Sequence, residues 1–231
     1  MMRLTGSASL MTRGSILAAL LLFGLTAGSS RATIIIAAGN TPQANDENVL
    51  LDRNMTGTSV LGVTNQTRRS VRFSSSTQTL AEFGSGQARI EATAGGSQVP
   101  LNNISINVPN GTFESLIFNA FVGGQVGGSG SLTISVADNV SPSPTTLTST
   151  IANGSNFFTI TSDAVQSILS VNLSFSPASS GFTDLRQVRI GGAAVAPVPE
   201  PSTMAAALSG IACLSLAGFR KLRRRSAEAK A

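Results

Sequence analysis

The chain has 231 residues, a formal net charge of +5, no His, Trp or Tyr, and a single Cys. Without His or a second thiol there is no Ser-His or Cys-His nucleophile pair and zinc loses its commonest ligands, while the absence of Trp and Tyr removes the usual platforms for stacking sugar rings. The positive charge sits at the two ends: between Thr33 and Ala196 seven Arg meet nine acids and no Lys, a balance of 7 − 9 = −2, so the basic face that a nucleic-acid partner requires is missing.

Residues 1–32 have the three-part plan of a secretory signal peptide: basic Arg3 and Arg13, an apolar stretch from Ile16 to Leu25, then small residues. About ten apolar residues are too few to span a bilayer stably. Ser30 and Ala32 place small side chains where a signal peptidase cuts, so cleavage is expected after Ala32, with Gly28 as the alternative. Met1, Met2 and Met11 are all candidate starts, and Met11 leaves the tidiest leader.

Residues 33–196 read as one exported domain, rich in Ser, Thr, Gly, Asn and Val. The first polar stretch, "NDENVLLD", offers Asp46, Glu47, Asn48 and Asp52, hard oxygen donors of the kind Ca²⁺ takes, at a spacing that matches no EF-hand loop. A solvated polar segment is the plainer reading. Beyond it the chain alternates with period two. "SLTISVAD" sets Leu132, Ile134 and Val136 on one face and Ser131, Thr133 and Ser135 on the other; "SILSVNLSFSP" does the same with Leu169, Val171, Leu173 and Phe175. Further strands are expected in "SVLGVT", "SVRFSSS", "QARIEAT", "ISINVP", "ESLIFNAFV", "TLTSTI", "NFFTITS" and "LRQVRIG". Asn110-Gly111 and Asn153-Gly154 supply residues that tolerate positive φ at tight turns. About ten short strands and no helix predict an all-β fold, an antiparallel β-sandwich of jelly-roll type, with the Ser/Thr face outward. The nine Phe between Phe73 and Phe182 fall mostly on core-facing positions.

Residues 197–231 close the chain with Pro199-Glu200-Pro201, an uncharged run from Met204 to Phe219, and the cluster Arg220, Lys221, Arg223, Arg224, Arg225. Sixteen residues make roughly 24 Å of helix against a hydrocarbon core of about 30 Å, so the run spans only with help from its flanks. The basic end stays in the cytoplasm by the positive-inside rule. Cys213 lies inside this run, where it reads as a small hydrophobe, which leaves the body without a thiol for disulfides. The order of triplet, short apolar helix and terminal Arg cluster, behind a signal peptide, resembles the PEP-CTERM protein-sorting signal of Gram-negative bacteria. That resemblance implies processing by signal peptidase and by an exosortase, with Pro199, Glu200 and Pro201 as the recognition motif, Met204 to Phe219 as a transient membrane anchor and the basic cluster as the stop-transfer. It also implies delivery across the inner membrane to the cell surface or the exopolysaccharide matrix of a biofilm, and says nothing of the chemistry of the domain delivered.

The function expected is therefore structural or adhesive and non-catalytic, with no cofactor, no metal, no nucleic acid and exopolysaccharide as a partner. The first alternative is a carbohydrate- or calcium-binding module. The second is a glycoside hydrolase built from a carboxylate pair, for which Glu82, Glu91, Glu114, Asp138, Asp163 and Asp184 are the candidates, although nothing in their spacing brings two of them together. Seven Asn-X-Ser/Thr triplets follow from the abundance of Ser and Thr.

Overall fold

Period-two alternation of apolar and hydroxyl side chains gives strands that bury one face each, and antiparallel pairing closes those faces around a common core. A computed structural model describes residues 33–51, 54–83, 89–124, 126–163 and 165–195. Expectations for Ala32, Asp52, Pro199 to Pro201, the Met204 to Phe219 run with Cys213, and the Arg220 to Arg225 cluster lie outside the described residues. Among those described there is no helix, and so none long and apolar enough to cross a membrane.

The strands are β1 (Ile34–Ala38), β2 (Asp46–Leu50), β3 (Thr56–Gly57), β4 (Ser59–Thr64), β5 (Ser70–Ser74) and β6 (Thr79–Glu82). Then come β7 (Arg89–Ala94), β8 (Ser97–Val99), β9 (Asn103–Asn107), β10 (Gly111–Thr112), β11 (Ser115–Phe121) and β12 (Gly130–Asp138). The last are β13 (Thr145–Ile151), β14 (Phe157–Ser162), β15 (Ile168–Ser176), β16 (Asp184–Gly191) and β17 (Ala194–Val195). All pairings are antiparallel.

One hydrogen-bonded path runs β1-β14-β11-β16-β2-β4-β5-β9-β15-β12-β13, with β7, β6, β3 and β8 branching from the lower part of β16. The result is a nearly closed, barrel-like sheet. The expectation of many short antiparallel strands is met, but two hydrogen-bonded sheets are joined where the sequence reading kept them apart. The joint is β2. Its first half, Asp46–Asn48, pairs with β16, and its second half, Val49–Leu50, pairs with β4. The turn of β2 from one layer to the other brings it so close to β4 that a Cβ at Gly62 would lie 2.6 Å from the Val49 side chain and 2.9 Å from the Leu50 carbonyl oxygen. The stretch expected to be a solvated polar segment is thus the corner of the barrel, because Val49 and Leu51 are fully buried.

Inside, Phe73, Phe113, Phe118, Phe158 and Phe182 are fully or nearly fully buried with Leu, Ile and Val from both layers, and Phe118 and Phe158 stack with centroids 5.5 Å apart. Leu132, Ile134 and Val136 of β12 point inward as expected. β15 departs from strict alternation. Leu169 is 41% exposed and Ile168 is buried, because the register slips between Ala137 and Asp138 of β12, where Ser170 and then Ile168 are the partners. One extra residue at this bulge turns Leu169 out and Ile168 in. A second bulge lies in β16, where Gln187 and Val188 oppose the single Phe118 and Gln187 takes φ of 56°.

The two Asn-Gly turns are where the sequence places them. Asn110 has φ of 55° and the Gly111 N–H donates to Val108 O at 3.1 Å, with Pro109 between, the pattern of a type II turn. Gly154, at φ of 104°, exchanges backbone hydrogen bonds with Val122, and the Asn156 amide donates to Ala120 O and Ala152 O.

Candidate functional site

The outward faces of β13, β12, β15, β9 and β5 form the least ordinary surface of the molecule. Register builds it row by row. Thr148 of β13 stands opposite Thr133, Thr133 opposite Ser174, and Ser174 opposite Asn103. The next row runs Thr146, Ser135, Asn172, Ser105, Ser74. A third is Thr150, Ser131, Ser176. Neighbouring strands lie about 4.8 Å apart and same-face residues about 6.7 Å apart along a strand, so hydroxyl and amide groups repeat on a regular lattice. The Thr133 and Thr148 hydroxyls meet at 3.1 Å. No charged side chain occurs in these three rows; Arg72, opposite Asn107, marks the border. A sheet face exposed to water ordinarily carries Lys and Glu among its hydroxyls. Here, Arg72 at the border apart, the charged cluster lies on the other layer.

That layer holds Arg89, Glu91, Asp184 and Arg186. β16 pairs Arg186 with Arg89 on one side and Asn119 on the other, which sets the three on one outward row. Asp184 is fully buried, accepts from Nε and Nη2 of Arg186, and lies 3.5 Å from Arg89 Nε. Arg89 also pairs with Glu91. The Arg186 guanidinium sits 3.7 Å from the centroid of the Phe121 ring, so that ring is already covered. The hydrogen bonds to Asp184 hold Arg186 above its ordinary pKa, with burial opposing and the charges of Asp184 and Glu91 assisting.

The six candidate carboxylates separate. Glu82 shares a cross-strand row with Ile90 and Leu185, both core residues, and so faces inward, whereas Glu91 and Asp184 face outward and share the arginines. Asp138 closes the turn after β12, its Oδ1 accepting the N–H groups of Val140 at 2.8 Å and Ser141 at 2.6 Å. Burial alone would raise its pKa, but the Gln166 side chain and the Ser141 and Val140 N–H groups together bring it below the usual carboxylate range. Asp163 accepts from the N–H groups of Thr33 and Val165, anchoring the start of β1. Glu114 is exposed beside Gly192, whose φ of 62° and lack of a Cβ leave room for it.

Of the residues considered for calcium, Asp46 and Glu47 line a shallow cleft of about 310 Å³, which adjoins one of about 220 Å³ through Ala44, Asn45 and Gly192. Asp46, Glu47 and Asn48 each already accept hydrogen bonds within the chain. Asp46 Oδ1 accepts from the Ser115 hydroxyl and Oδ2 from the Gln43 N–H; Glu47 Oε2 accepts from the Gln66 and Thr67 N–H groups at 2.9 and 2.8 Å; Asn48 Oδ1 accepts from Arg189 Nε. For Glu47, burial raises the pKa, and the Thr67, Gln66 and Thr64 hydrogen bonds outweigh it, so the net shift is downward. Among the described residues no three of His, Cys, Asp and Glu converge as a metal site would need.

The hydroxyl face was legible from alternation in "SLTISVAD" and "TLTSTI"; the Arg186–Asp184–Phe121 arrangement was not, since it joins β11 and β16 across 65 residues of chain. Comparisons of this chain with protein-family models, with curated proteins and with solved structures give no match.

Proposed function

We propose that this chain is an exported, non-catalytic structural protein of the cell surface or exopolysaccharide matrix, which adheres to neutral polysaccharide through the face of β13, β12, β15, β9 and β5. The observation that carries the reading is the uncharged hydroxyl and amide lattice of that face. It offers no apolar patch of the kind an ordinary protein partner buries, and Arg72 at its border is a single cation where a polyanion requires several. A neutral polymer dense in hydroxyl groups exchanges hydrogen bonds with it without desolvating a charge. Export and exosortase processing rest on the two ends of the sequence, and in this reading the signal peptide ends at Ala32, Pro199 to Pro201 direct cleavage and the tail is a transient anchor. The reading also keeps a jelly-roll-like, two-layer description of the barrel, with β2 as the fold between layers. The calcium alternative has less support because Asp46, Glu47 and Asn48 already have donors. The hydrolase alternative has less because Glu82 faces inward while Glu91 and Asp184, which share the outward side, are held by Arg89 and Arg186.

The test is retention of the protein, as its host exports it, on cellulose as a neutral polysaccharide and on alginate as an anionic one. Retention on cellulose that falls at least tenfold in T133K/S174K, with an unchanged melting temperature, is the expected result. Equal retention by the variant, or binding to alginate alone, sinks the assignment of the face. Intact mass of the exported protein reads the processing separately: a chain from about Thr33 to the Pro199–Ser202 region is expected, and a mass that retains Met204 to Ala231 overturns the exosortase part.

A further inference from the structure

We propose that the free edge of β13 pairs with the β13 edge of a second copy, antiparallel and about a two-fold axis, so that two hydroxyl faces join into one sheet. Among the described residues β13 is the end of the strand path and hydrogen-bonds to a strand on one side only, to β12. Its other side presents the unpaired N–H and C=O groups of alternate residues, the arrangement that another strand satisfies. Stable monomers protect such an edge by shortness, by a charge, by proline or by a bulge. β13 has none of these protections: it is seven residues of sequence TTLTSTI, without charge or proline, and it runs in unbroken register with β12.

β1, at the other end of the path, does not cover it. The two strands approach within 8 Å but do not pair. Between them is an open cleft of about 360 Å³, lined on the β13 side by Ser149 and Thr150 and on the β1 side by Ala38. Thr145 to Thr148 do not border that cleft.

The occupant is a second copy because the strand is complementary to itself. Thr146, Thr148 and Thr150 recur at every second position and are exposed. Any antiparallel self-pairing that keeps outward side chains outward therefore sets threonine opposite threonine, neutral against neutral. The same contact already exists within one chain, where Thr133 and Thr148 meet across β12 and β13. A two-fold contact of this kind closes at a dimer and does not propagate into a fibre. This inference is independent of what the hydroxyl face binds, since it concerns the backbone edge.

Cysteine trapping tests it directly. In the exported protein with Cys213→Ser, single cysteines are placed at Thr146, Leu147 or Thr148 and oxidised. In an antiparallel self-pair only the residue on the two-fold axis meets its own copy, at a Cα separation of about 4.5–5.5 Å that suits a disulfide. The expected result is that one of the three positions gives at least tenfold more disulfide-linked dimer than the other two. Sedimentation of the unmodified protein should show a monomer–dimer equilibrium that T146K/T148K abolishes and that the neutral Thr148→Val keeps, with all monomers melting alike. Equal cross-linking at all three positions, a protein that stays monomeric at millimolar concentration, or a dimer indifferent to T146K/T148K each overturns the proposal.

Discussion

Asp184 is the most demanding residue in the molecule, a fully buried acid whose partners are two arginines on the solvent face. Its oxygens are satisfied by a forked Arg186 guanidinium, and that guanidinium in turn sits over the Phe121 ring, which helps to fix the fork. Removing the cation leaves the carboxylate buried and short of its principal partner, and that costs more than the ion pair itself contributes. Arg186→Met is therefore expected to destabilise the fold by about 3–5 kcal/mol, and Asp184→Asn in the same chain should restore part of the loss; equilibrium urea unfolding of the single and double variants measures both. Equal stability of Arg186→Met and the parent would show that Arg89 alone holds Asp184.

At the scale of the element, β15 shows how one bulge redistributes a strand. Strict alternation in "SILSVNLSFSP" assigns Leu169 to the core, and the structure assigns Ile168. The slip at Ala137/Asp138 lets Asp138 reach the turn N–H groups of Val140 and Ser141 while β15 keeps its pairing with β12 over the remaining length. Ile168→Ala should cost about 2–5 kcal/mol, the range for truncating a large buried aliphatic side chain. Leu169→Ser should stay within about 0.5 kcal/mol of the parent, as surface changes do. Thermal melts of the two variants decide between the bulged and the regular strand, since the regular strand demands the reverse order. Strand positions themselves were largely legible: "SVLGVT" is β4 to the residue, and "TLTSTI", "NFFTITS" and "LRQVRIG" are β13, β14 and β16 within one residue at either end. β2 was hidden because its outward half is charged and only Val49, Leu50 and Leu51 carry an apolar signal. β3, β8, β10 and β17 are two or three residues long, too short to display a period.

For the molecule as a whole, the absence of His sets the pH response. No side chain among the described residues has an ordinary pKa between 5 and 8, so the melting temperature should be level across that window. The acid limb is different. Glu47 and Asp138 have folded-state pKa values below those of the unfolded chain. The unfolded chain therefore takes up protons first, from about pH 4 downward. The stability these groups contribute is complete above that point and is lost as the pH falls through their folded values. Glu47→Gln, which keeps an acceptor but not the charge, should lower stability at neutral pH by about 1 kcal/mol, the difference between hydrogen bonds to a charged and to a neutral group, and flatten the acid limb. Circular-dichroism melts from pH 2 to 8 check the level window and the sign of the limb together.

What the sequence by itself determined is what depends on residue type and spacing. Period two makes strands with one wet face, Asn-Gly makes turns, and the absence of His and of a body thiol removes Ser-His and Cys-His nucleophile pairs before any fold is known. What only the tertiary structure decided is what depends on registers between distant strands: that β2 joins the layers into one sheet, that Glu82 and Glu91 face opposite sides, that the Ser and Thr residues of five strands align into one face, and that β13 ends the strand path among the described residues. The physical reason is that hydrophobic burial fixes which side of a strand points inward, whereas pairing order and register are set by long-range packing that no local pattern encodes.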